Sequence, residues 1–462
     1  MTKAELIHYL NGIGDKVNEV SLEIWNHPEV SGQESKSADV FRQVLREHGF
    51  TIKELGEGLE HAFFAEYGNG SPVMAVLGEY DALPGLSQRL DTRANPTVKG
   101  GPGHACGHNL LGAGALGGAL AIKKYLEETG RAGTVRFYGC PEEESLIGKV
   151  KMIKAGAFEG CDLALNWHPM NINAALETAF LAANSIKFKF HGISAHAALS
   201  PESGRSALDA VEIMNVGANY LREHISDDAR VHYTITSGGG SPNIIPEEAE
   251  SWYYVRAPHR HDVGSITARL LKIAEGAALM TETRVEHTIL GGCYHLLPNK
   301  VLCDLTYKNL TEMMPPSYGA EELEFARAIQ ESLDPAMLAG EIRKFMPDQD
   351  DMPYIHQGVL DQEQAKSVVF SGSSDSGDVS WIMPTNLFLA AAWPLGVPAH
   401  SWQATSASGS SLGTKAVHYA SRVFAGIMYD LLNDASLVEA AQDEFGERTK
   451  NDKYVCPLPS SS

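Results

Sequence analysis

The segment SPVMAVLGEYDALPG (residues 71–85) contains an apolar run, VMAVLG, that leads into two acidic residues and a Pro-Gly turn. A short apolar run closed by turn signals is the pattern of a buried strand, here opening at its carboxyl end into a polar loop. The flanking sequence predicts the partners of that strand. Apolar positions recur at helical spacing over 3–27 and 34–49, and a strand-like run (AFFAEY) lies at 62–67. After a Gly/Pro-rich loop at 84–108 come a small-residue helix at 109–128, a strand TVRFYGC at 134–140, a helix near 146–157 and a strand LALNWHP at 163–169. Strands alternating with helices predict an α/β domain with a mostly parallel central sheet.

Near residue 182 the texture changes. SIKFKFHG (185–192), VHYTITSG (231–238), AESWYYVRAP (249–258) and TRVEHTILG (283–291) alternate polar and apolar residues, as half-exposed strands do. Helical patterns at 206–224 and 262–280 separate them, giving the order βαββαβ, a ferredoxin-like arrangement. The sequence therefore predicts one domain formed by 1–181 and 297–462, interrupted by an inserted domain at 182–296. The outer domain is expected to end in a long helix at 411–432, followed by a loosely held acidic tail after Asp434.

The chain has 462 residues, room for two to three domains. Its 37 basic and 58 acidic residues give a net charge of −21, which disfavours nucleic acid and anionic membrane as partners. No apolar run approaches the roughly 20 residues that span a bilayer, and the N-terminal segment reads as a charged amphipathic helix, not a secretory signal. Six cysteines without paired spacing suit a reducing compartment. The expectation is a soluble, cytoplasmic enzyme.

Potential metal ligands fall at strand ends or in the loops behind them. These are Cys106 and His108 in HACGHN, Glu143 and Glu144 in CPEEE, His168 in NWHP and His400 in PAHSWQ. Cys106 and His108, two residues apart, would point the same way in an extended segment. Thiolate, imidazole and carboxylate together suit Zn2+ or a similar divalent ion, and this many donors could hold two. Of two adjacent glutamates, one can bind metal while the other acts as a general base. Asp81 is placed to orient a ligand imidazole from behind. Taken singly, each residue has a plainer reading: a solvated acidic loop for Glu142–Glu144, a turn for Asp81, a core or surface site for any of 18 histidines. Their shared place at strand ends, where α/β sheets bind ligands, favours the metal reading. Trp167 and Trp402, beside two of the histidines, suggest an aromatic-lined pocket, with core packing as the alternative. Two further motifs lack the right context. Gly112, Gly114 and Gly117 match GxGxxG inside a helix, and Gly409–Gly413 matches GxSxG after a serine-rich loop, where Ser411 starts a helix.

GEYDALPG, GHACGHN, PEEE, NWHP, GISAHAA, SPNIIP and PAHSWQ, in this order, resemble the metal-dependent amidohydrolases of peptidase family M20, subfamily D. The resemblance covers about residues 10–435. It implies a catalytic domain with a lid that dimerises, one or two Zn2+ or Mn2+ ions, and hydrolysis of an N-acyl or N-aroyl amino acid such as an aminobenzoyl-glutamate. By motif, Cys106, His108, Glu144, His168 and His400 become the metal ligands, Glu143 the catalytic base and Asp81 the orienting group. His196 would reach the substrate carbonyl across a dimer, and Asn243 and Arg256 would hold the substrate's polar end. The family's glutamate motif is usually Gln-Pro-Ala-Glu-Glu; here Cys140-Pro141-Glu142-Glu143-Glu144 stands in its place, and Asn109 replaces the aspartate common after CGH. The resemblance leaves open a dipeptidase, or a hydrolase or deaminase of another amino-substituted aromatic. The partner could be a second copy or a related subunit; a non-catalytic chain would be expected to have lost ligands that this one keeps.

Overall fold

The structure, a computed structural model, describes residues 1–178, 180–345, 353–367 and 372–458. It divides into two compact units, one of Met1–Ala179, Leu297–Val369 and Val379–Tyr454, the other of Phe180–Leu296, Phe370–Asp378 and Val455–Ser462.

In the first unit, α1 (Lys3–Asn26) and α2 (Ser35–Glu47) precede β1 (Thr51–Glu54), β2 (Phe63–Asn69) and β3 (Val73–Glu79). Then follow α3 (His108–Thr129), β4 (Gly133–Cys140), α4 (Gly148–Lys154), β5 (Leu163–Leu165), β6 (Trp167–Met170) and β7 (Ala174–Ala175). The five-stranded sheet has the order β1-β2-β4-β3-β5. Its central strands β4, β3 and β5 run parallel, and β2 and β1 add an antiparallel hairpin at one edge. β1 is short and polar (TIKE, almost wholly exposed), so it carries none of the apolar periodicity that marks the other strands.

The second unit is the predicted βαββαβ series: β8 (Ala182–His191), α5 (Ala207–Leu221), β9 (Arg230–Ser237), β10 (Glu248–Ala257), α6 (Arg260–Thr281) and β11 (Arg284–Cys293). Its sheet, ordered β11-β8-β10-β9, is antiparallel throughout, the ferredoxin-like arrangement. Ile186, Phe188 and Phe190 of β8 and Tyr253 and Val255 of β10 bury one face in a cluster with Val211 and Met214 of α5 and Leu270 of α6.

The chain then returns to the first unit through α7 (Lys300–Met313), α8 (Ala320–Glu331), α9 (Pro335–Phe345) and α10 (Gln362–Ser367). The short α11 (Ser376–Ser380) leads to β12 (Phe388–Ala391), α12 (Trp402–Ser408), α13 (Ser411–Asn433) and α14 (Ala435–Thr449). β12 pairs parallel to β6 and antiparallel to β7. The residues after Asp434 are therefore helical, not loose. Asp434 caps α14 by accepting from the Ser436 backbone N–H, and Glu444 accepts from the N–H groups of Lys300 and Val301 at the start of α7. Among the described residues no helix is long and apolar enough to cross a membrane.

α3 lies against β3, α1 and α13, and its glycines make that approach possible. A Cβ on Gly112 would stand 2.5 Å from the Phe41 ring and 2.7 Å from the Glu79 carbonyl oxygen; on Gly114 it would strike Trp167, and on Gly117, Ser421. The GxGxxG match is thus a packing face. Gly112→Ala should lower stability by about 1–3 kcal/mol, because rigid neighbours must move. Gly12→Ala, on the exposed side of α1 with nothing within 4 Å, should raise it by about 0.5–1 kcal/mol. Denaturant titration of both variants checks the contrast, and equal effects would remove the packing explanation.

Candidate metal centre

The centre is built beyond the ends of β3, β4, β5 and β12, with His168 the second residue of β6 and His108 the first of α3. Asp81, two residues beyond β3, is fully buried. Its Oδ1 accepts from His108 Nδ1 at 2.8 Å, and its Oδ2 accepts from Ser31 Oγ at 2.7 Å and from the Glu144 backbone N–H at 2.9 Å. Burial alone would raise the Asp81 pKa, but His108 and these hydrogen bonds outweigh it and hold the carboxyl below its ordinary range.

His108 opens α3 behind Gly107, whose backbone is left-handed (φ 75°). Cys106 and His108 therefore flank a tight turn instead of sharing one side of an extended segment. A side chain at 107 would meet Pro169 and Trp393 within about 3 Å, so glycine lets the loop close onto the helix. The Cys106 sulfur lies 3.4 Å from Nε2 of His168, whose Nδ1 donates to the Pro169 carbonyl at 2.7 Å. In both histidines Nδ1 is committed as donor, so Nε2 is the nitrogen left for the centre; burial keeps His168 neutral, whereas Cys106 and Asp81 outweigh burial and raise His108, so that a cation there displaces its proton.

Around His108 Nε2 stand three carboxylates: Glu79 Oε2 at 3.4 Å, Glu143 Oε2 at 3.8 Å and Glu144 Oε1 at 4.0 Å. The other oxygen of Glu144 lies 3.7 Å from His400 Nε2. Glu142 is drawn elsewhere: its carboxylate meets Lys151 at 2.5 Å, and its backbone N–H donates to Glu34 at 2.8 Å. Three groups of donor atoms lie mutually within 4.8 Å, namely Cys106–His108–His168, Cys106–Glu144–His400 and Glu79–His108–Glu143. Cys106 and His108 each belong to two of them, the sharing expected of closely spaced cation sites.

A cation fits this arrangement. His108 Nε2 and Glu144 Oε1 are buried and make no hydrogen bond among the described residues. A lone pair facing carboxylate oxygens becomes favourable once a divalent ion stands between them. The electrostatics agree. Burial, reinforced by Asp81, pushes Glu144 up to about 7 despite the opposing pull of His108. Burial and then Glu144 push the Cys106 thiol well above its usual value, and burial brings His168 down to about 4.

His196, Asn243 and Arg256 lie in the other unit. His196 is exposed, and its Nδ1 accepts from the backbone N–H groups of Ala198 and Leu199 at 3.2 Å. Asn243 lies on the facing segment, its carbonyl accepting from the Ala197 N–H. Arg256 is not with them. It pairs with Ala183, eight residues along β10 from the Glu248–His191 pair beside which the His196 loop begins, roughly 26 Å at 3.3 Å per residue. There it donates to Ser373 Oγ at 2.9 Å. The aromatic pocket suggested by Trp167 is not found: that ring is fully buried, donates to the Leu111 carbonyl and stacks on Phe388, and half-buried Trp402 packs on the same core. Sequence reasoning missed Glu79 and Lys149, whose charged groups meet at 2.7 Å with almost no exposure. A signal existed for Glu79, since residues two apart at a strand end leave on the same face, as Glu79 and Asp81 do.

Thiolate, imidazole and carboxylate donors gathered on one edge of an α/β sheet make up a candidate divalent-metal centre. Comparison with known proteins makes the class specific. A family model described as peptidase family M20/M25/M40 matches residues 75–460, and the chain belongs to that family. It is 41% identical over 459 residues to a p-aminobenzoyl-glutamate hydrolase subunit of Escherichia coli, covering 96% of this chain and 95% of that one. It is 27% identical over 463 residues to the human Xaa-Arg dipeptidase, with coverage of 96% and 91%. Among solved structures, a putative aminohydrolase from methicillin-resistant Staphylococcus aureus aligns with a TM-score of 0.66 at 17% identity, covering 93% of this chain and all of that one. The Bacillus subtilis YXEP protein, a dinuclear metal-binding peptidase of family M20, aligns at 0.59 and 18%, covering 92% and 99%. These two likenesses carry the fold.

Loading the metal-stripped protein with Zn2+ at pH 7 should release protons, because the cation takes the anions of Glu144 and Cys106, which are wholly or partly protonated beforehand. Affinity should accordingly rise from pH 6 to pH 8. Calorimetry in buffers of different ionisation enthalpy measures the release; heats independent of buffer would rule out both groups as ligands.

Proposed function

We propose that this chain hydrolyses the amide bond of an N-aroyl or N-acyl amino acid of the p-aminobenzoyl-glutamate kind, in a reducing cytoplasm. The observation that carries the reading is the 41% identity to the E. coli hydrolase chain along nearly the whole of both sequences. Cys106, His108, Glu144, His168 and His400 are the proposed holders of one or two divalent ions, Zn2+ or Mn2+. Such ions acidify bound water and polarise the amide carbonyl. Glu143, close to His108 yet not in the group with His400, is the proposed base that takes a proton from the attacking water and returns it to the leaving amine. Asp81 keeps His108 in the tautomer required.

His196 is suited to the carbonyl oxygen. With Nδ1 accepting two backbone N–H groups, its hydrogen resides on Nε2, a donor that can stabilise developing negative charge. Asn243 and Arg256 are the proposed anchors for the polar end and carboxylate of the substrate. Arg256 lies eight residues along β10 from Glu248, while Asn243 precedes that strand, so one inserted unit does not offer both to the same carboxylate. A dimer formed through this unit, with a second copy or a related subunit, supplies one of them from each chain. A dipeptidase reading is favoured by the human and mouse Xaa-Arg dipeptidases, at the lower identities of 27% and 30%. A purely structural role accords poorly with the retention of all five ligands and the base.

Glu143→Gln should keep fold and metal content while turnover of p-aminobenzoyl-glutamate falls by about 10²–10⁴-fold. Metal analysis and steady-state kinetics check it; metal lost from this variant and kept in Glu144→Gln would exchange the two roles. The shared-site arrangement has its own test. Glu143→Gln and His196→Ala chains, each inactive alone, should regain about a quarter of wild-type activity when co-expressed, since half of the random dimers then hold one intact site. No regain in dimers shown to be mixed would place His196 and Glu143 of one chain in the same site.

A further inference from the structure

We propose that the junction between α1 and α2 is a positioning device of the metal centre, with Ser31 and Glu34 as its acting residues. The inference rests on the metal-centre reading above and concerns residues that are not among the ligands. Cys106 and His108, Asp81, Glu143 and Glu144, and His400 come from four separate stretches of chain, and the segment from Ser21 to Glu34 is bonded to each stretch or to the helix that follows it. The Ser21 carbonyl and hydroxyl accept from the Asn109 side chain at 3.4 and 3.2 Å, and the Ile24 carbonyl accepts from His104 Nε2 at 3.2 Å, so both sides of Cys106 and His108 are held. Trp25 Nε1 donates at 2.8 Å to the Thr405 carbonyl in α12, the helix that follows His400. The Glu29 carbonyl accepts from the Ala82 N–H at 2.8 Å, and Ser31 Oγ donates to Asp81 Oδ2 at 2.7 Å. Glu34 accepts from the Glu142 N–H at 2.8 Å, at the left-handed residue that turns the glutamate loop.

Stability alone would not select these contacts. Glu34 is fully buried, and its Oε2 makes no hydrogen bond among the described residues. Burying a carboxyl in that way costs free energy that an apolar side chain of similar volume would not. What Glu34 supplies is an acceptor at one fixed point. β4 ends at Cys140, and the chain leaves it with Glu142 at φ 58°, after which the Glu143 and Glu144 carboxylates turn toward His108. A residue with a side chain is disfavoured in that backbone conformation, and the bond from its N–H to Glu34 offsets the cost. Ser31 acts through Asp81, whose Oδ2 accepts from both the Ser31 hydroxyl and the Glu144 N–H while Oδ1 faces His108. Cation sites hold their ligand distances within about 0.2 Å, so small displacements of these stretches register as lost affinity. One segment tied to all four sets their spacing relative to one another, which four independent anchors would not.

The test compares Glu34→Ala, Glu34→Gln and Ser31→Ala with wild type at a temperature where every metal-free form is folded by circular dichroism. Calorimetry measures Zn2+ and Mn2+ binding, visible absorption reports the Co2+-loaded forms, and kcat and KM are determined with p-aminobenzoyl-glutamate. Tyr125→Phe is the control for a merely structural loss: it removes the bond to Asn433, seventeen residues along α3 from His108 and so roughly 25 Å away. Glu34→Ala should lose about ten- to a hundredfold in affinity at one binding step and in kcat, with KM nearly unchanged and an altered Co2+ spectrum. Glu34→Gln keeps an oxygen for the Glu142 N–H and should recover most of the loss. Ser31→Ala should move the same quantities by a smaller factor, and Tyr125→Phe should lower the melting temperature alone. Wild-type affinity, kcat and spectrum in Glu34→Ala would overturn the proposal, as would a Glu34→Gln that performs no better. If Glu34→Ala does not fold, Ser31→Ala decides by the same readouts, and failure of both to fold would make the junction scaffold alone and overturn the proposal. Wild-type protein that takes up no divalent ion would instead overturn the metal-centre reading itself.

Discussion

Four carboxylates brought out of water to one place are the constraint on which this structure depends. Glu79, Asp81, Glu143 and Glu144 all approach His108, and none is more than slightly exposed. Two like charges about 4 Å apart repel by roughly 4 kcal/mol even at an effective dielectric of 20. The local fold is a set of answers to that repulsion. Lys149 answers Glu79, and the His108 ring, the Ser31 hydroxyl and the Glu144 N–H answer Asp81. The loop of Glu142–Glu144 is turned by a left-handed residue at 142, and Glu34 holds that turn by accepting the backbone N–H. Glu34 is itself raised to about 7 by burial and by Asp81, so even this outer carboxyl responds to the charge inside.

The same constraint explains which parts of the molecule were legible in the sequence. Periodic apolar patterns record burial against water, so the alternation of strands and helices, the βαββαβ series and the limits of α3 and α13 could be read directly. β1 could not, because an edge strand paired on one side needs no apolar face. The strand expected over 163–169 is interrupted at Asn166, whose side chain caps the Trp167 N–H and whose own N–H goes to the Asn386 side chain. That exchange of partners between sheets leaves no trace in local periodicity. The helix after Asp434 was obscured by its acidic composition, yet its acidity has a use, since Glu444 caps α7.

For the site, chemistry-bearing residue types at strand ends led to Asp81, Cys106, His108, Glu143, Glu144, His168 and His400, and all seven converge in one unit. Lys149 was invisible for a different reason. Lysine on a short helix beside Lys151 and Lys154 reads as a solvated face, and only the position of α4 against the end of β3 turns it inward. The tryptophans failed in the opposite sense. Being next to a ligand in sequence says nothing about the direction of a side chain, and Trp167, one residue from His168 on a strand, points to the other face.

Charge balance also ties the centre to its substrate. The chain carries a net charge of −21, and an acyl-amino acid brings a carboxylate of its own. Before metal binding, Glu79, Asp81, Glu143 and Glu144 outnumber Lys149 and His108, whose pKa is raised by Cys106 and Asp81 against burial, so the centre repels an anion as well as attracting cations. Two divalent ions would bring it close to neutrality with the Cys106 thiolate included. Cation loading would then lift the repulsion that an anionic substrate meets at this centre. Arg256, proposed above for the substrate carboxylate, lies on β10, where it donates to Ser373 Oγ and where Glu250 is already answered by Lys187.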